Sequence, residues 1–473
     1  MKHTKRFLTV ALAAMLALTS ATALAEGEAN ESADTQMTQM QTPPALPDGT
    51  FPGGPGPNGG QPPEKPDGSF PTPPEMPGGM GGPGGAPGGM GGSAPEEYSA
   101  AVTLTENADG GTYASSADSE SAVLVSGSDV TLTSATVSKT GDADSESADF
   151  YGINAAVLAT DGAALTIENA QITTDGAHAN AVFSYGSGTT VNVSDTAIIT
   201  TGNNSGGLMT TGGAAMNAVN VTVSTAGNSS AAIRSDRGGG TVNVQGGTYE
   251  TTGRGSPAIY STADITVSGA VLSASGSEAV VIEGGNSVTL NGVQITGNDA
   301  VLNGQSTVKT NVLIYQSMSG DARDGSSVFT MTGGDMTALT GDMFHVTNVT
   351  TTISLTGVAF HPADDSSVFL SASADAWGNS GSNGGHVTLT LASQEIAGDL
   401  TADALSSLHI SLTENSSLTG AVNSANASQD VTVTLDGTSV WTLTGDSYLT
   451  AFTGDLAQVN LNGFTLYIAG EAQ

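Results

Sequence analysis

The sequence predicts an all-β protein, a single-stranded right-handed parallel β-helix in which each turn of chain stacks on the turn before it. Three observations predict this solenoid: a short phrase that recurs six times, an alternating run after each phrase, and a glycine that closes each unit. The closing glycines are spaced 21 to 26 residues apart, and units of this length must stack to bury an apolar face. The phrases begin at Ala155, Asn180, Gly206, Ala231, Pro257 and Glu278, and the closing glycines are Gly176, Gly202, Gly227, Gly253, Gly276 and Gly297.

The runs inside each unit alternate between apolar and polar residues, as short half-buried strands do. In VNVSDTAIIT, we expect Val191, Val193 and Ile198 on the inner side and most of the polar residues on the outer side. Turn residues divide each unit into about three such strands. The right-handed sense follows from the usual handedness of parallel crossover connections.

The chain begins with a pattern typical of an export signal, followed by a linker. Lys2, Lys5 and Arg6 precede an apolar run that ends at Ala25, and a retained membrane anchor is the less favoured alternative. Proline, glycine and methionine dominate the next segment, which cannot bury a core. We therefore expect three parts: a signal peptide at 1–25, a disordered linker at 26–97 and a β-helix at 98–470. Its regular rungs span about 122–298, and longer, irregular rungs with a C-terminal cap span 299–470.

Composition restricts the partners. The formal net charge is −35, which disfavours binding to nucleic acid or to an anionic lipid surface. There is no cysteine, hence no disulfide or thiolate metal site, and no second apolar segment is long enough to span a membrane after signal cleavage. We expect a secreted protein or one on a bacterial cell surface, with an extracellular glycan or surface protein as partner. Self-association through the open solenoid ends is a further expectation.

The repeated AxVxV rungs resemble right-handed parallel β-helix proteins of bacterial surfaces, the pectin-lyase-like superfamily, in the style of adhesins and autotransporter passengers. The segment VTVTLDGTSVWTLTGDSYLTAF is similar to the last rungs of such passengers. The sequence departs from autotransporters because it has no run of C-terminal membrane-barrel strands. The resemblance implies a fold, but many unrelated functions share this repeat style.

Aligning the six phrases separates an inner column from two outer columns. The inner column is uniformly aliphatic and should fill the bore: Val157, Val182, Leu208, Ile233, Ile259 and Val280. We expect the outer columns to face solvent: Leu158, Phe183, Met209, Arg234, Tyr260 and Val281, then Thr160, Tyr185, Thr211, Asp236, Thr262 and Glu283. Exposed amphipathic rings suit sugars or an extended peptide. The candidate ligand-binding residues are Phe183, Tyr185, Met209, Arg234, Asp236, Tyr260 and Glu283. The alternative is that the insertion around Phe150 and Tyr151 covers them.

No catalytic or metal-binding motif stands out. The resemblance to pectate lyases implies an arginine base beside calcium-bound carboxylates, a role for which Arg234, Asp236, Arg237, Glu250 and Glu283 are available. Local Arg–Asp pairing on a turn is the favoured interpretation, since no calcium-ligand spacing accompanies them. The histidines lack zinc-ligand spacing, and we expect them at the surface or in turns. We therefore assign no catalytic residue, no metal site and no cofactor, with Ca²⁺ possible in principle but unsupported by a motif.

These observations favour a non-catalytic, adhesin-like protein that binds a glycan or another extracellular surface through an exposed face of the β-helix. The first alternative is a polysaccharide lyase or glycoside hydrolase of the pectin-lyase-like superfamily. The second is a structural component of a surface layer.

Overall fold

The computed structural model describes residues 94–473, except 145, 303–305 and 318. Contacts divide the chain into two units, Met1–Gly81 and Gly82–Gln473, and the described residues belong to the second. The predicted signal peptide and most of the predicted linker lie outside the described residues. Over the described ranges, every helix is too short or too polar to cross a membrane.

The first part of the described chain contains six strands and one short helix. The helix lies in the insertion that precedes the regular units and ends at Gly152, whose φ of 73° is left-handed. The elements are β1 Ala100–Thr103, β2 Ala108–Asp109, β3 Thr112–Ser115, β4 Ser121–Ser126, β5 Asp129–Thr133, β6 Thr136–Lys139 and α1 Ser147–Tyr151.

The regular units follow, with three strands in each of the first five. In the sixth unit the second and third strands merge into one. The strands are β7 Val157–Thr160, β8 Ala164–Glu168, β9 Gln171–Thr174, β10 Val182–Tyr185, β11 Thr190–Ser194, β12 Ala197–Thr200, β13 Leu208–Thr211, β14 Ala214–Val219, β15 Thr222–Thr225, β16 Ile233–Ser235, β17 Gly240–Gln245, β18 Thr248–Thr251, β19 Ile259–Ser261, β20 Asp264–Ser268, β21 Val271–Ala274, β22 Val280–Glu283 and β23 Ser287–Gly297.

The strands of the last part vary in length, from two residues in the shortest to 12 in the longest. A short 3-10 helix, Leu456–Gln458, interrupts them near the end. The strands are β24 Thr310–Tyr315, β25 Ser327–Ala338, β26 Asp342–Thr347, β27 Val349–Thr356, β28 Ala359–His361, β29 Val368–Ala372, β30 Gly385–Ala392, β31 Glu395–Ala397, β32 Asp399–Ala402, β33 Ser407–Thr413, β34 Ser417–Thr419, β35 Val431–Leu435, β36 Val440–Thr442, β37 Ser447–Leu449, β38 Ala451–Thr453, β39 Val459–Asn460, β40 Leu466–Ile468 and β41 Glu471–Ala472.

Every unit contributes its first strand to one parallel sheet, here called the first sheet. Its order is β1-β4-β7-β10-β13-β16-β19-β22-β24-β26-β29-β32, so neighbours in space are successive turns of the chain. The phrases pair in the predicted register, with Val182 between Val157 and Leu208. All six side chains of the predicted inner column are 0% exposed. The inner column is confirmed.

The second and third strands of each unit form the second sheet, which is also parallel. Its inward side chains follow the predicted alternation, because Val191, Val193 and Ile198 are all buried. Near the C-terminus the stack divides into two smaller sheets, and β41 pairs antiparallel with β40. These stacked, nearly all-parallel sheets are consistent with a β-helix-like solenoid.

The closing glycines stack directly on one another. A Cβ atom added to Gly227 would lie 1.8 Å from the carbonyl oxygen of Gly202, and one added to Gly202 would lie 1.9 Å from that of Gly176. The backbones of successive units therefore approach too closely here for any side chain. Glycine is required at these positions by the packing of one unit on the next.

Candidate functional site

The outer face of the first sheet is covered by the insertion that contains α1. Phe183 and Met209 are 0% exposed and pack with Leu158, while Tyr185 at the edge is partly exposed. The Thr211 hydroxyl donates to the Phe150 carbonyl over 2.7 Å, and the rings of Tyr151 and Tyr185 meet edge to face. The expectation that this column faces solvent is therefore wrong for Phe183 and Met209. In the structure the insertion covers these two side chains, which was the alternative interpretation of the sequence.

A second segment covers the same face further along. This segment begins at Tyr315, the last residue of β24, and folds over the end of β22, where the amide of Gly285 donates to the Arg323 carbonyl over 2.8 Å. Asp236 and Glu283 are 7% and 2% exposed, so the expected exposure of these two carboxylates is also wrong. We call residues 146–152 the first cover and residues 315–317 and 319–324 the second cover.

Arg237 connects the two covers. Its guanidinium carbon lies 3.9 Å from the centre of the Phe150 ring in the first cover. Its Nη2 atom also lies 2.5 Å from Asp321 Oδ1 in the second cover. A cation–π contact and a charge-assisted hydrogen bond on one side chain thus hold together two segments that are distant in sequence.

Between the covers an open cavity of about 390 Å³ reaches down to the first sheet. Three of the predicted residues line it, namely Arg234, Asp236 and Tyr260. Glu283 lies behind Tyr260, whereas Phe183, Tyr185 and Met209 belong to the neighbouring apolar cluster under the first cover. The cavity therefore contains the polar half of the predicted strip and not its apolar half.

Arg234 at the floor of the cavity lies between two carboxylates. Its Nη2 atom is 2.9 Å from Asp236 Oδ2, and its Nη1 atom is 3.8 Å from Asp149 Oδ1. The first pair was predicted as local Arg–Asp pairing and is confirmed. Burial raises the pKa of Asp236 to about 6, although the Arg234 guanidinium opposes the shift.

Asp149 is the main acceptor of the site, and sequence reasoning missed it. It comes from α1 and accepts hydrogen bonds from His178 Nδ1 at 2.8 Å and from Asn180 Nδ2 at 3.2 Å. The hydrogen bond to Asp149 raises the pKa of His178. Asn204 Nδ2 lies 3.2 Å from the other ring nitrogen of His178. No motif in the sequence indicates that α1 packs against these two later turns.

Glu283 organises the opposite wall. Tyr315 donates its hydroxyl to Glu283 Oε2 over 3.0 Å, and Tyr260 donates to the same oxygen. Ser317, in the second cover, donates to the other carboxylate oxygen. Burial raises the pKa of Tyr260 well above its usual value, with Tyr315 and Glu283 adding to the effect, so its hydroxyl keeps its proton at physiological pH. Glu283 thereby fixes both tyrosine rings at the cavity edge.

The set implied by the resemblance to pectate lyases is not brought together. Glu250 is exposed on the outer side of the second sheet, and Arg237 is engaged by Asp321. Across the described ranges, no three His, Asp or Glu side chains are grouped so that they could hold a metal ion. The expectation of surface histidines is wrong for His345, which is 0% exposed and bonded to Ser371 at 2.9 Å.

The chain was compared with family models, with curated proteins and with solved structures. No family model, no curated protein and no solved structure matches it.

Proposed function

We propose that this protein is a secreted, non-catalytic surface protein that binds an extracellular glycan in the cavity between the two covers. The observation that carries the proposal is the combination, in one open cavity of about 390 Å³, of aromatic walls and convergent polar groups. Small-molecule sites have volumes of about 300 to 1,000 Å³ and this mixed lining. The predicted right-handed sense and pectin-lyase-like kinship remain part of the proposal.

The lining groups match the needs of a sugar ring. Tyr260 is partly exposed and offers a ring surface against which the apolar face of a pyranose packs, while the buried rings of Phe150 and Tyr315 complete the apolar lining. Asp149, Asp236 and Asn204 offer oxygens to its hydroxyl groups. These groups stand on stacked strands and on covers tied by Arg237, so binding orders few additional side chains.

The predicted N-terminal segments are consistent with a protein that is displayed outside the cell. The predicted signal peptide directs export, and the predicted Pro/Gly-rich linker places the β-helix at a distance from its attachment. An adhesin-like role then requires only that the cavity recognises a sugar on a neighbouring surface.

A glycoside hydrolase is the second candidate, and one observation favours it. Burial raises the pKa of Asp236 to about 6, and Asp149 lies nearby as a second carboxyl group that accepts hydrogen bonds from His178 and Asn180. A carboxyl group whose pKa is raised by burial is suited to act as a general acid. Both carboxyl groups contact the Arg234 guanidinium, which keeps them within about 10 Å, the span that glycosidases use.

A glycan array probed with residues 26–473 tests the proposal. We expect binding to a restricted set of glycans and its loss in Tyr260→Ala. Tyr448→Ala is the matched control, because Tyr448 is also half-buried but lies in a different part of the stack. New reducing ends released from the bound glycan would establish the hydrolase instead. Absence of binding to every glycan, together with ordered assembly of the protein alone, would support the surface-layer alternative.

A further inference from the structure

Several hydrogen-bond donors around the cavity are already engaged within the protein. His178 directs one ring nitrogen to Asp149 at 2.8 Å, and its other ring nitrogen faces the amide nitrogen of Asn204 at 3.2 Å. Because a carboxylate can only accept and an amide nitrogen can only donate, the neutral ring carries its proton on the side of Asp149. The neutral His178 ring then has no donor left for a ligand, and one of the two N–H groups of the Asn204 amide is used.

Arg234 is partly engaged in the same way, since two of its five N–H groups donate within the protein. Arg234 directs Nη2 to Asp236 at 2.9 Å and Nη1 to the Ser229 carbonyl at 3.4 Å. The hydroxyl protons of Tyr260 and Tyr315 both point to Glu283. Each tyrosine oxygen can therefore only accept a further hydrogen bond.

Acceptors and negative charge remain. The lining contains four carboxylates, those of Glu146, Asp149, Asp236 and Asp321, against two basic side chains, Arg234 and His178. Asp321 is paired with Arg237, whereas Glu146 is exposed at the rim and forms no ion pair within the part of the chain that the structure describes. The whole chain carries a formal net charge of −35, which adds to the local negative potential.

From this distribution we infer that the cavity selects glycans that carry a free, protonated amine, that is, hexosamine residues without an N-acetyl group. The inference rests on the proposed function, because it names the sugar class that the same cavity binds. An ammonium group brings three donors and no acceptor, which complements a wall of acceptors. The partly exposed aromatic ring of Tyr260 adds a favourable surface for a cation. N-acetylation of the sugar removes the positive charge of the amine. A uronic acid carries a negative charge, which the carboxylates of the cavity repel.

Calorimetric titration with three oligosaccharides of equal length tests the inference: oligoglucosamine, its fully N-acetylated form and oligogalacturonate. We expect oligoglucosamine to bind at least about tenfold more tightly than the N-acetylated form, with affinity falling as salt rises. Oligogalacturonate should not bind. Tighter binding of the N-acetylated form or of oligogalacturonate would overturn the inference but leave glycan binding intact. If none of the three binds but other glycans on the array do, the inference also fails; if no glycan binds at all, the proposed function fails as well.

Two variants place the effect in the cavity. Asp149→Asn should weaken oligoglucosamine binding by about tenfold or more, since one charged acceptor is lost. Glu146→Gln should weaken it severalfold, and because that side chain is exposed at the rim, this variant should fold normally even if Asp149→Asn does not. Asp129→Asn is the control, because Asp129 is exposed on the second sheet. Equal affinity of Glu146→Gln and Asp129→Asn for oligoglucosamine would overturn the assignment to this cavity.

Discussion

Replacing Gly227 with alanine should open the stack between two successive units. The added Cβ would lie 1.8 Å from the carbonyl oxygen of Gly202 and 2.4 Å from its carbonyl carbon. Both atoms are backbone, so no side-chain rotation relieves the contact. To bring the added Cβ and the carbonyl group to van der Waals distance, the two chain segments must separate by roughly 1.5 Å. The packing of the other strands in the same two units opposes this separation.

The cost follows from the bonds at this position. The amide of Ala226 donates to the Thr200 carbonyl over 2.9 Å, and the Ser230 hydroxyl donates to the Gly202 carbonyl over 3.1 Å. Overpacking costs about 1 to 3 kcal/mol and each weakened hydrogen bond about 0.5 to 1.5 kcal/mol. We expect Gly227→Ala to lower the free energy of unfolding by about 3 kcal/mol.

Urea unfolding followed by circular dichroism measures this difference, with Gly437→Ala as the matched control. Gly437 has open space around it and no left-handed φ, so alanine there should change stability by a few tenths of a kcal/mol at most. If both variants unfold at the wild-type midpoint, close stacking of the closing glycines does not limit this fold.

Three further predictions test other parts of the structure. Arg237→Ala should release the contacts to Phe150 and Asp321 and cost about 1 to 2 kcal/mol; hydrogen exchange in α1 should accelerate, and an unchanged exchange rate would contradict the bridging role. Burial raises the pKa of Asp299 to about 7 from 3.8, so the folded state loses stability as pH rises from about 4 to 7. Asp299→Asn should therefore be more stable than wild type at pH 8 by about 1 kcal/mol or more, with a smaller difference at pH 4; parallel pH profiles of the thermal midpoint would argue against this. Ile233→Ala should cost about 2 to 4 kcal/mol in denaturant unfolding, because this side chain is 0% exposed in the inner column; a near-neutral change would mean that the bore is loosely packed.

The inner side of the solenoid could be predicted from sequence because it depends on local periodicity. Alternation along one strand determines which side chains share a face, and the recurring phrases determine which strands are neighbours. Val182 and Ile233 were therefore placed correctly without any knowledge of distant residues.

The outer side could not be predicted in the same way. Phe183 and Met209 alternate as outward residues should, and they do point away from the bore. Their burial depends on α1, which belongs to an insertion outside the repeat. Whether an insertion folds back over a face or extends from it depends on tertiary contacts such as that of Thr211 with Phe150.

The candidate site shows the same division. Arg234 and Asp236 are two residues apart on adjoining strand and turn positions, so their pairing follows from local spacing. Asp149, His178 and Tyr315 arrive from three other turns of the chain. The periodicity of the sequence was sufficient to predict the residues at the floor of the cavity. The residues of its walls could be identified only from the three-dimensional structure.

The contact of Arg237 with both covers has a consequence for how this molecule unfolds. In a solenoid whose units touch only their neighbours, unfolding can begin at an end and proceed one unit at a time. Here Phe150 and Asp321 are linked through a single side chain, so the intervening units are enclosed by a long-range contact. Those units should lose their structure as one cooperative block, while the units near the C-terminus remain free to fray independently.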